Sequence, residues 1–232
     1  IVSGVHAAKA GHPGGSLSAA DIFTYLYFEE LNVNPENPKD PDRDRFVLSK
    51  GHTAPGLYAA LAHRGFFPVE DLPTLRKVGS YLQGHPDMKH IPGVDTSSGS
   101  LGQGISAAVG MALSAKMDGK DYRTYCLCGD GEIQEGQIWE AAMFAAHHKI
   151  DNLIGMVDWN GQQIDGRIDD VAGVGDLEAK FKAFGWDTIV ADGHDFEAIL
   201  GAYATAGELS GNGKPVMILF KTDMGHGVDF MA

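Results

Sequence analysis

The stretch from Thr124 to Gly166, TYCLCGDGEIQEGQIWEAAMFAAHHKIDNLIGMVDWNGQQIDG, constrains the fold of this chain more than any other. A short apolar segment, Thr124 to Cys128, runs straight into Gly129-Asp130-Gly131, so a buried strand ends in a turn too tight for most side chains. From Glu135 to Lys149, Ile138, Ala141, Ala142 and Ala145 recur at spacings of three and four, which predicts a helix with one apolar face. Leu153 to Asp158 then reads as a second buried strand, closing on Asn160-Gly161. Strand, helix and strand in that order make a crossover unit of a parallel sheet.

In such a sheet the carboxyl ends of the strands face the ligand crevice, so Asp130 and Asn160 should meet in one site. Both offer hard oxygens. Together with a backbone carbonyl just beyond Asn160 and the oxygens of a bound diphosphate, they could complete the near-octahedral shell that Mg²⁺ requires. Glycines flanking Asp130 let the backbone approach a phosphate, and the helix start beyond them offers free N–H groups to an anion. Gly-Asp-Gly alone is equally an ordinary turn.

A chain of 232 residues is long enough for one α/β domain with a substantial core, and one domain spanning 1–232 is expected. The formal charge of −13 argues against nucleic acid or anionic membrane as a partner, so any phosphate must be held by local donors. Cys126 and Cys128 sit two apart in a predicted strand and should share one face as packed, reduced thiols, which points to a cytoplasmic location. No signal peptide and no apolar run of bilayer length is present in the sequence. The chain opens at Ile1 without an initiating Met, and residues beyond both ends are expected.

Taken in order, Gly11-His12-Pro13-Gly14-Gly15 reads as a breaker-rich loop, followed by a helix to Leu31 capped by Ser16 or Ser18. A polar loop with Pro35, Pro38 and Pro41 leads to a short strand, Arg45 to Ser49, ending in Lys50-Gly51-His52. His52 therefore sits either as a turn residue or as a ligand-facing one, just before a helix from Ala54 to Arg64. A helical stretch begins near Pro73, Gly84-His85-Pro86 repeats the Gly-His-Pro loop, and Ser98 to Gly104 is glycine-dense before a helix to about Met117. Beyond the central unit, helices at Asp176 to Phe184 and Phe196 to Ala206 alternate with strands at Trp186 to Val190 and Pro215 to Phe220. The alternation predicts a doubly wound, mainly parallel sheet flanked by helices.

The order and spacing of AKAGHPGGSLSAADI, FVLSKGHTAPGLYAAL, GHPDM, GSLGQG, CGDGEIQEG, DWNGQQIDG and KFKAFGW resemble the transketolases, and in particular the N-terminal subunit of transketolases encoded as two polypeptides. The resemblance implies a thiamine diphosphate-binding fold, specifically its pyrophosphate-binding module, and transfer of a two-carbon ketol unit from a ketose phosphate to an aldose phosphate. It implies that Asp130, the Asn160 side chain and the Gln162 carbonyl ligate Mg²⁺ or Ca²⁺. Gly131 and Glu132 would lie at the diphosphate with His52. Gly99, Ser100 and Leu101 would line the cofactor, and Ile164 would pack near its thiazolium. His12 and His85 would handle the proton traffic of the sugar hydroxyls. Glu135 would be a carboxylate at a subunit interface.

Two departures follow from the same resemblance. The family's further histidine after the last strand falls at Phe230 here, so no catalytic role is transferred to His226. The pyrimidine-binding domain has no counterpart in the sequence, so a C-terminal partner subunit should supply it, with two copies of each chain. The alternatives are a 1-deoxyxylulose-5-phosphate synthase-like enzyme and a non-catalytic scaffold subunit.

Overall fold

The computed structural model describes residues 1–231. Five parallel strands build the central sheet: β1 (Arg45–Leu48), β2 (Thr124–Gly129), β3 (Leu153–Trp159), β6 (Asp187–Asp192) and β7 (Val216–Lys221), in the order β1-β2-β3-β7-β6. β2 and most of β3 are buried along their length, as continuous apolar runs in a parallel sheet should be. Period-two alternation divides their side chains between two cores. Phe46, Leu48, Tyr125, Leu127, Ile154 and Met156 face one layer, while Val47, Cys126, Cys128, Val157, Met217 and Leu219 face the other.

The first layer contains α2 (Pro13–Ser18), α3 (Ala20–Tyr25), α4 (Ala54–Arg64) and α9 (Phe196–Leu209), preceded in the chain by α1 (Val2–Ala8). The second contains α5 (Gly104–Asp118), α6 (Gly136–His147) and α8 (Leu177–Ala183). On α6 the buried residues are Ile138, Ala141, Ala142 and Ala145, the stripe expected from their spacing. On α8, Leu177 and Phe181 are buried, and the Asp176 carboxylate caps the start by accepting the Ala179 N–H at 2.9 Å. The Sγ atoms of Cys126 and Cys128 lie 4.0 Å apart as free thiols on one face of β2.

Several local expectations are corrected. The Gly-His-Pro-Gly-Gly segment is not all loop: Pro13 starts α2, where its missing N–H costs nothing and its fixed φ suits the first turn. Ser16 and Ser18 cap no helix; Ser16 Oγ donates to the His12 carbonyl at 2.7 Å, and Ser18 is used elsewhere. The helix to Leu31 breaks at Ala19 and ends in a wider π-type turn, Leu26–Glu30. The stretch at Pro73 is only a 3-10 turn, Val69–Thr74, because proline inside it removes a donor. A small antiparallel hairpin, β4 (Gln162–Gln163) and β5 (Gly166–Arg167), and the short α7 (Ile168–Ala172) follow β3, in a stretch the sequence pattern leaves unassigned. Among the described residues no helix is long and apolar enough to cross a membrane.

Candidate functional site

β2 and β3 are paired so that Gly129 lies opposite Asp158, which sets Asp130 beside the turn after Trp159. Asp130 is buried, and its carboxylate accepts the Gly131 N–H at 2.9 Å and the Gly161 N–H at 2.6 Å. Burial, with the charge of Asp158 adding to it, pushes the Asp130 carboxyl up to about 6 against the downward pull of the two backbone bonds. The Asn160 amide is oriented from both ends. Its Oδ1 accepts the Gln162 N–H at 3.1 Å, while its Nδ2 donates to Asp158 Oδ2 at 3.2 Å.

Behind this pair lies a charged cluster that motif reading missed. Asp158 is fully buried in β3 and ion-paired with the buried Lys50. It also accepts Ser18 Oγ at 2.5 Å and the Thr222 hydroxyl. Lys50 donates in addition to the Gly15 carbonyl at 3.1 Å. Burial alone would raise the Asp158 carboxyl, but the Lys50 charge and the hydroxyl donors outweigh it and hold the group below its ordinary range. The sequence carried a signal: a carboxylate inside LIGMVDW needs a buried partner, and Lys50 stands at the end of the neighbouring apolar run.

Glu132 faces inward. Its Oε1 accepts Ser49 Oγ at 2.5 Å and the Gly102 N–H at 2.8 Å, and its Oε2 accepts the Gly129 N–H at 3.0 Å. The carboxylate thus fastens the Gly-rich loop before α5 to the ends of β1 and β2. Replacing Glu132 with Ala would strand two buried backbone donors, with an expected loss of about 3 kcal/mol in urea unfolding.

The histidines converge on the other side of the same loops. The rings of His12 and His52 meet edge to face, 5.2 Å between centroids. A Cβ on Gly15 would sit 3.9 Å from His52 Nε2 and 3.9 Å from Lys50 Nζ, so the first turn of α2 joins the imidazoles to the buried cluster. His85 lies against Gly99, where a Cβ would come within 3.0 Å of the imidazole and where φ is +149°, so glycine is required twice over. Burial, then the Arg76 and His85 charges, lower the His12 pKa. Burial, then Lys50, lower that of His52 to about 4. His52 therefore lends stability in full above its ordinary 6.5, lost as the pH falls through about 4. In thermal unfolding between those limits the wild type should therefore lose stability relative to His52→Gln as the pH falls.

Of the residues singled out from sequence, Asp130, Gly131, Asn160 and Gln162 share one end of the site, and His12, His52, His85 and Gly99 share the other. Ser100 is exposed and Leu101 half-buried on the loop between them, with the Leu101 carbonyl accepting Gln137 Nε2 at 3.0 Å. Ile164 is 92% exposed at the tip of the β4–β5 hairpin. Glu135 is exposed on this chain, and His147 and His148 form an exposed pair on and just after α6. The residues fit a metal-tethered diphosphate. A buried carboxylate with a raised pKa favours a cation, and the donors are hard oxygens. His12 Nδ1 and Ser98 Oγ are buried polar atoms with no partner. A Cβ on Gly51 would fall 2.7 Å from Gly99 N, so the backbone there makes a tight cradle.

Comparison with known proteins agrees with this geometry. Residues 1–231 match the model of the transketolase, thiamine diphosphate binding domain. The chain is 49% identical over 220 residues to the 6-deoxy-6-sulfo-D-fructose transketolase subunit SqwG of a Clostridium species, covering 95% of this chain and 79% of that protein. It is 43% identical over 231 residues to one of the subunits of the apulose-4-phosphate transketolase of Phocaeicola vulgatus, covering 100% of this chain and 81% of that one. The crystal structure of the Pichia stipitis transketolase complex with sedoheptulose 7-phosphate superposes with a TM-score of 0.93 at 36% identity over 99% of this chain. This chain spans only 35% of that one. The match of a whole family model, of near-complete relatives and of the backbone establishes that the chain belongs to the transketolase family, as a thiamine diphosphate-binding domain.

Proposed function

We propose that this chain is the cofactor-holding subunit of a two-chain transketolase, transferring a two-carbon ketol unit from a ketose to an aldose. Asp130, Asn160 and the Gln162 carbonyl would hold Mg²⁺ or Ca²⁺, and through it the diphosphate. The observation that carries the reading is the 2.6 Å bond from Gly161 to Asp130, which closes the two metal-ligand loops on each other. Thiamine diphosphate, when bound, supplies the nucleophilic carbon and the electron sink that cleavage of a ketose carbon–carbon bond needs.

The chain's own residues bind, orient and move protons. His52, uncharged down to about pH 4, can donate to a phosphate oxygen without adding charge. His12, held neutral by burial and by its cationic neighbours, is suited to take a hydroxyl proton from the sugar, with His85 beside it. The partner chain, two of each making the assembly, would contribute the pyrimidine-binding domain and most of the grip on the far end of the sugar. A cytoplasmic setting accords with the free thiols of Cys126 and Cys128. The names of the two relatives point to ketoses with a terminal anion, sulfonate or phosphate, as donors.

The test mixes the purified chain with a C-terminal partner subunit, thiamine diphosphate and Mg²⁺. Donors are xylulose 5-phosphate and a 6-sulfo-ketose, and ribose 5-phosphate is the acceptor. Ketol transfer, seen with xylulose 5-phosphate as sedoheptulose 7-phosphate, is expected only when both chains are present. Cofactor binding without transfer from any donor would favour the scaffold reading.

A further inference from the structure

We infer that Asp21, His194 and His226 form a second cation site, for a late first-row divalent ion such as Zn²⁺, at the loop that follows β7. The three come from α3, from the turn between β6 and α9, and from that loop, and one ligand atom of each lies within 4.8 Å of the others. His194 Nδ1 stands 3.0 Å from Asp21 Oδ2, and His194 Nε2 accepts the Asp223 N–H at 2.9 Å. That second bond fixes the tautomer: the proton is on Nδ1, shared with Asp21.

An ion held about 2.0–2.2 Å from a nitrogen and an oxygen spans about 3–3.5 Å between them. The Asp21–His194 pair already has that bite, so an ion can take the place of the proton on Nδ1. The displaced proton moves to Nε2, the imidazole stays neutral, and the Asp223 N–H gives up that acceptor as the ion binds. The third donor is at hand. The ring of His226 stacks on that of His194 at 3.6 Å between centroids and 10° between planes, and His226 is exposed. Rotation of that side chain brings a nitrogen to the ion. Asp21 and His194 keep 25% and 11% of their side-chain surface open, which leaves an entry path.

Two imidazoles and one carboxylate suit Zn²⁺, Ni²⁺ or Cu²⁺ and disfavour Mg²⁺, so this site differs in chemistry from the oxygen set around Asp130. It also sits where an ion would matter. The same loop donates the Gly225 N–H to the Gly14 carbonyl at 3.1 Å, and a Cβ on Gly14 would fall 2.8 Å from Met224 Cγ. An ion joining His226 to α3 therefore ties the loop down over the segment that carries His12.

The test titrates the full chain with Zn²⁺ by calorimetry, and with Co²⁺ by visible absorption, in excess Mg²⁺. One tightly bound ion per chain is expected, with a cobalt band of low-coordinate type. His226→Phe keeps the stacked ring and loses the ligand, and Asp21→Asn weakens the bite; each should weaken Zn²⁺ by at least about tenfold. Asp130→Asn should leave the zinc stoichiometry unchanged. Absence of binding, binding that survives His226→Phe, or binding lost with Asp130→Asn would each overturn the assignment.

Discussion

Asp130→Asn is expected to abolish Mg²⁺-dependent binding of thiamine diphosphate and, in the metal-free protein, to remove the part of the stability that falls as the pH rises through about 6. The native carboxyl is pushed up to about 6 from 3.8, so the folded state holds its proton more firmly than the unfolded chain does. Its favourable contribution is complete below 3.8 and is lost as the pH rises through about 6. Between those limits the wild type should lose about 3 kcal/mol from this group alone. The variant has no proton to lose there and should not follow. A bound divalent ion reverses the balance by compensating the charge. Saturating Mg²⁺ at a hundred times its dissociation constant should stabilise the wild type by about 2.7 kcal/mol and leave the variant unmoved. Thermal unfolding from pH 4 to 8, with and without Mg²⁺, reads both effects. An identical Mg²⁺ response in the two proteins would remove Asp130 from the metal shell.

Lys50→Met should be the most destabilising of the changes considered. It leaves Asp158 buried without its counter-charge, and breaking a buried pair from one side typically costs about 3–5 kcal/mol. For a chain of this size that is a fall of roughly 10 °C in the unfolding midpoint. Hydroxyls from Ser18 and Thr222 remain, so Asp158 is then expected to take up a proton. The double change Lys50→Met with Asp158→Leu removes both charges and should recover much of the stability. Metal affinity should not return with it. Asn160 Nδ2 loses its acceptor in Asp158 and keeps only the longer bond to Ser18 Oγ, so the amide is held less firmly with its oxygen toward the site. Recovery of both properties together would show that the ion pair serves folding alone.

The parallel sheet was legible because each strand is a short apolar run closed by glycine, asparagine or aspartate, and because Ile138 to Ala145 keep strict helical spacing. Asp130 and Asn160 were legible for a related reason: strand ends project into the crevice wherever the sheet is parallel. Pro13 misled, since a proline flanked by glycines signals a break unless it opens the helix. The resemblance places Glu132 at the diphosphate, and the structure adds that its carboxylate is bonded to Ser49, Gly102 and Gly129. Ser49 and Gly102 are too distant in the chain to leave a trace in local pattern. Lys50 and Asp158 escaped for the same reason, being 108 residues apart. Asp21, His194 and His226 belong to three separate elements, so no local pattern joins them before the fold does.

Ser18 reaches Asp158 across 140 residues of chain, and that hydroxyl lies in the set that steadies the Asn160 amide. Contacts of such span close late, after the intervening polymer has been ordered. If Asp130 and Asn160 hold magnesium as proposed, a nascent or partly opened molecule would be blind to it, and protection by the ion would count only chains that have finished folding.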